Sequence, residues 1–131
     1  MHAAITTTLY NTGNGPSFCT VDSTGRWVYT SDNYQGATIR KLDTQSNPAT
    51  PTYTIIAGGA TGYNCNFDGP ALGNGYACFA TPRSVALDAT EQYLYFLDTG
   101  NGLLRALNLQ VRAWQRAQRC CARPRAPKNA I

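Results

Sequence analysis

PSFCTVDSTGRWVYTSD at residues 16–32 and PRSVALDATEQYLYFLD at residues 82–98 are two versions of one pattern, in register without a gap at a spacing of 66 residues. Beyond Asp32 and Asp98 the match continues to Arg40 and Arg105, with one residue fewer in the second copy. A chain that writes the same unit twice is built from like modules, none of which buries its apolar face alone.

Each copy divides into three short strands. Cys19 and Val21, matched by Val85 and Leu87, alternate with small residues and predict a half-buried first strand. Asp22 and Asp88 end it in turns, where a carboxylate accepts backbone N–H groups. WVYTS and YLYFL then place large side chains on both faces, as a strand does when its sheet stacks on another. Asp32 and Asp98 open a second turn, in which Gly100, Asn101 and Gly102 tolerate positive φ, and TIRKLD or LLRALNL returns as the third strand. Three antiparallel strands joined by tight turns describe a meander. All four aspartates, present in both copies, are expected to be structural turn residues rather than catalytic ones.

Composition agrees with an all-β reading: 8 Tyr, 12 Gly and 7 Pro occur in 131 residues, and only 14% of residues are charged. The net charge of +4 is unevenly placed. Residues 1–110 hold five cations and all seven acids, whereas 111–131 hold Arg112, Arg116, Arg119, Arg123, Arg125 and Lys128 and no acid. The body therefore has no basic field for nucleic acid, and such binding is expected only through the tail. No run of about 18 apolar residues predicts a membrane span, and MHAAITTTLY lacks the charged start and apolar stretch of a signal peptide.

YFLDTGNGLLRALNL and YTSDNYQGATIRKLD, each preceded by Pro and a short strand ending in Asp, resemble NHL repeats, the blades of a β-propeller family. The linking stretch YTIIAGGATGYNCNFDGPALGNGYACFATP is similar to that family's inter-blade segment, an apolar strand running into AGG, a DG turn, then F and P. The resemblance covers about residues 15–109. It implies a partial β-propeller of antiparallel meander blades over 1–110, with repeats at about 15–43 and 81–109, followed by an irregular basic tail, 111–131. Two blades leave open sheet edges, so the chain reads as a fragment completed by missing blades or by self-association.

The insert, residues 57–81, is rich in Gly and Asn and is expected to be an exposed loop between blades. A disulfide between its Cys65 and Cys78 would stabilise it by about 3 kcal/mol in an oxidising compartment, and five cysteines lean the assignment toward an extracellular or cell-surface protein. Cys19, matched by Val85, reads as a small buried hydrophobe, and Cys120 and Cys121 are adjacent in the tail. In NCNFDG, residues 64–69, Asn64, Asn66 and Asp68 alternate before Gly69 like a calcium loop, but Gly75 stands where the bidentate Glu belongs. An Asn/Asp/Gly turn is the expectation there.

His2 is the one histidine, which leaves no Ser-His-Asp, Cys-His or multi-histidine site within these residues. No catalytic residue, metal ligand or cofactor is expected. The resemblance implies a non-catalytic scaffold presenting a propeller surface and the 57–81 loop to a protein partner. The alternative is a piece of a propeller lyase or hydrolase whose catalytic and metal residues lie outside this chain. The tail reads either as a short basic helix or as sequence foreign to the fold.

Overall fold

The structure, a computed structural model, describes residues 16–33, 37–46, 52–59, 66–69 and 77–110. Seven six-residue strands follow one another: β1 Pro16–Val21, β2 Trp27–Asp32, β3 Thr38–Asp43, β4 Tyr53–Gly58, β5 Pro82–Leu87, β6 Tyr93–Asp98 and β7 Leu103–Asn108. They form two antiparallel sheets in simple order, β1-β2-β3-β4 and β5-β6-β7. Over these residues the protein is all-β and neither sheet is closed, and among them no helix is long and apolar enough to cross a membrane.

The repeat is reproduced strand by strand. Trp27 pairs with Asp43 and Asp32 with Thr38, while Tyr93 pairs with Asn108 and Asp98 with Leu103. Both first strands also slip by one residue, between Pro16 and Cys19 and between Arg83 and Val85. In β5 the extra residue is Ser84, held at a φ of 45°. Such a bulge bends the strand and increases its twist.

Side chains directly opposite one another share a face, so register divides each sheet into two. In the first sheet Trp27, Tyr29, Ser31, Ile39 and Ala57 lie together on one face; in the second, Val85, Leu87, Leu94, Phe96 and Leu107 do. These faces supply one continuous core, in which Tyr29, Ile39, Ala57, Val85, Leu94 and Phe96 are buried around Phe79. β5 lies alongside β1 and β2. The sheets thus pack unlike faces together: the one that carries Asp98 and Arg105 in the second sheet meets the opposite one in the first.

Ala57 and Gly58 belong to β4, and Ala77, Cys78, Phe79 and Ala80 are buried, which corrects the expectation that 57–81 is an exposed loop throughout. Phe79 is the reason. Its ring meets Phe96 edge-on at 4.8 Å between centroids and closes the core where the two sheets converge. Gly58, at a φ of 83°, allows this approach, because a Cβ there would stand 2.2 Å from the Ala37 carbonyl oxygen and 3.0 Å from the Phe79 ring. In the β6–β7 turn Gly102 has a positive φ, whereas Gly100 is needed for space, its Cβ position lying 2.5 Å from Thr81 Oγ1.

Cys19 is a free, exposed thiol, contrary to the buried hydrophobe expected from its match with Val85. Position in the strand is the same; the difference is that the first sheet lies over Val85 and no described sheet lies over Cys19. The tail, 111–131, and His2 and Asn64 lie outside the described residues.

Candidate functional site

Asp22 and Asp88 sit in identical turns. Asp22 Oδ1 accepts from Trp27 N at 2.8 Å and Oδ2 from Thr24 Oγ1 at 2.6 Å. Asp88 Oδ1 accepts from Tyr93 N at 2.8 Å, while its Oδ2 accepts from the backbone N–H and the hydroxyl of Thr90. The Thr24 and Thr90 hydroxyls are the main reason that both carboxyls are held below their ordinary value, with backbone N–H groups adding to the effect. The Thr two residues after each Asp is the sequence signal for this arrangement.

Asp32 and Asp98 begin the second turns, but their carboxylates point inward. Arg40 Nη1 lies 2.9 Å from Asp32 Oδ2, and Arg105 Nε lies 3.1 Å from Asp98 Oδ2; all four side chains are buried. Asp98 Oδ1 accepts from the backbone N–H groups of Ala80 and Thr81 at 2.9 and 3.0 Å, and Oδ2 accepts from Asn101 Nδ2 at 2.8 Å. The repeated Asp and Arg are therefore one buried ion pair per sheet, and in the second sheet the pair also fixes the entry of the chain into β5.

Arg105 goes further. Its Nη1 donates to the Phe67 carbonyl at 3.2 Å and to Asp68 Oδ1 at 2.8 Å, and its Nη2 to Asn66 Oδ1 at 2.6 Å and to the Cys78 carbonyl at 3.2 Å. One guanidinium thus ties both sides of the insert to β7, beside an antiparallel bridge between Phe67 and Cys78. The alternate Asn66 and Asp68 that resemble calcium ligands do face a cation, and that cation is Arg105. No group of three or more His, Cys, Asp or Glu that could hold a metal occurs among the described residues. Cys78 is disulfide-bonded; Cys65, its partner expected from spacing, lies outside the described residues.

Arg40 has a different surrounding. Its Nε donates to Thr38 Oγ1 at 3.3 Å and its guanidinium lies over the Tyr53 ring at 4.9 Å, so β4 covers it. The second sheet has no fourth strand among the described residues. Beside β7 there is instead a pocket of about 380 Å³, lined by Phe79, Phe96, Leu103, Arg105 and Leu107 and by Asp68 at its mouth. Phe67 stands largely in solvent next to Asp68.

The four repeated aspartates are engaged by turns or arginines, and the large apolar side chains Phe67, Tyr93, Tyr95, Leu97, Leu103 and Leu104 are exposed. Arg40 and Arg105 hold equivalent places in the repeat, and the Asp-to-Arg order shared by both copies is the sequence signal for the buried pairs. Compared with known protein families, curated proteins and solved structures, the chain matches none.

Proposed function

We propose that the chain supplies two blades of an NHL-like β-propeller that serves as a non-catalytic scaffold for protein binding, with the insert and the rim beside β7 as the contact surface. The observation that carries this reading is Arg105: a buried side chain that holds Asn66, Asp68 and the backbone of Phe67 and Cys78 in place, so that the exposed Phe67 ring is carried next to Asp68, which lines the pocket beside β7. An exposed aromatic on a backbone fixed by hydrogen bonds, next to a concave surface of mixed polarity, is the kind of anchor on which protein partners depend. Matching register, bulge and buried ion pair in the two sheets support the blade reading, and a disulfide at Cys78 supports an oxidising compartment.

The test is affinity capture with the immobilised 131-residue chain, wild type against Phe67→Ala. A protein retained by the wild type should be lost from the variant while the melting temperature stays the same. Equal retention by both would remove the insert from the proposed contact surface.

A further inference from the structure

Equivalent positions in the two sheets have opposite environments. Tyr29 is 6% exposed and Ile39 0%, both covered by the second sheet, whereas their counterparts Tyr95 and Leu104 are 40% and 70% exposed. Tyr93 and Leu97, matching Trp27 and Ser31, complete an open apolar face on the second sheet. On the other side the contrast is confined to the first strand: Val85 and Leu87 insert toward the first sheet, while their counterparts Cys19 and Val21 lie exposed on the outer face of β1, beside half-buried Val28. Farther along the same face Thr30, Asp32, Thr38 and Arg40 are buried, so it is open along β1 and not across the sheet. Among the described residues, one pair of faces is thus mated internally, while one face of the second sheet and the outer side of β1 remain exposed.

We propose that the open face of the second sheet binds the exposed outer side of β1, the counterpart of β5, in a second copy of this chain, head to tail. The argument is continuity with the interface already present. Whatever rotation carries the first sheet onto the second carries the second onto the first sheet of the next copy, with Tyr95 and Leu104 taking the places of Tyr29 and Ile39, and Cys19 and Val21 those of Val85 and Leu87. Such a contact is heterologous, so repetition gives a ring where the rotation closes and a linear array where it does not. Burial of Tyr93, Tyr95, Leu97 and Leu104 supplies the driving force, since apolar surface removed from water stabilises by about 25 cal/mol per Å². The inference rests on the repeated-blade reading and adds the identity of one partner.

The test is sedimentation equilibrium of the full chain over a range of concentrations, with Leu104→Arg and Val21→Arg on opposite faces. Both positions are exposed, so the variants should keep the wild-type melting temperature. Wild type should grow in mass with concentration; each variant alone should associate at least about tenfold more weakly. An equimolar mixture of the two should form a complex through the one pair of intact faces and stop at two chains. Alkylation of Cys19 should slow as wild-type concentration rises, a readout that needs no substitution. A wild-type chain that remains monomeric with a constant alkylation rate overturns the proposal. So does association abolished by Leu104→Arg but untouched by Val21→Arg, which indicates a symmetric contact of like faces. A monomer that still captures a protein through Phe67 sinks this inference and leaves the scaffold reading standing.

Discussion

Arg105 donates through Nε to Asp98 Oδ2 at 3.1 Å, with both side chains buried on the face of the second sheet that packs against the first. The pair is a junction. Asp98 holds Ala80 and Thr81 through one oxygen, and Arg105 holds Asn66, Phe67, Asp68 and Cys78 through its remaining nitrogens.

Breaking this junction from either side should be costly. Asp98→Ala leaves a buried guanidinium without its carboxylate and frees two backbone N–H groups, and Arg105→Met leaves the carboxylate uncompensated. Each should destabilise by about 3–5 kcal/mol in urea unfolding. Asp68→Asn should leave the midpoint nearly unchanged, because the Asp68 side chain is 98% exposed.

Glycine substitutions should separate space from backbone strain. Gly25→Ala adds a methyl at a φ of 72° with nothing within 4 Å, and should cost about 1–2 kcal/mol from the left-handed conformation alone. Gly58→Ala meets the same conformational cost and also drives a Cβ against the Ala37 carbonyl and Phe79, so its unfolding midpoint should fall well below that of Gly25→Ala.

Phe79→Ala should remove the side chain that both sheets share. The loss of a buried aromatic costs about 3–5 kcal/mol, and here it should also separate the unfolding of the two sheets, read as probe-dependent transitions by Trp27 fluorescence and far-ultraviolet dichroism.

Acid should destabilise the protein through its first turns. Asp22 and Asp88 have pKa values lowered on folding, chiefly by the Thr24 and Thr90 hydroxyls. A depressed folded value contributes stability that is present above the unfolded value, near 3.8, and is lost as pH falls through the folded one. Replacing both threonines by valine should therefore lower the melting temperature near neutral pH and flatten its decline below pH 3.8.

Non-reducing peptide mapping should find the peptide containing Cys78 joined to the one containing Cys65, with Cys19 alkylated in the folded protein.

What could be read from the sequence was what is local. Alternation in YLYFLD fixes which residues share a face of β6, and Asp followed two residues later by Thr fixes the turn before it. Other features depend on residues far apart. Nothing in LLRALN says that its arginine reaches Asn66 and Asp68, 39 and 37 positions earlier, because that contact arises only when the insert folds back along β7. The apolar Ala77–Ala80 run was a visible hint of burial, masked by the Gly and Asn around it. Cys19 was misjudged for a related reason: burial belongs to the sheet lying over a position, and equivalent strands need not have equivalent covers.

Five residues separate Asp32 from Thr38 and four separate Asp98 from Leu103, yet the strands they join keep the same register and the same buried pair. The turn's length is thus decoupled from the ladder it closes. A change of one residue is absorbed at that rim, but the shorter turn is tied to the interior by Asn101 on Asp98 and by the close seat of Gly100 on Thr81, so a longer graft should keep Thr99 to Asn101 as its base.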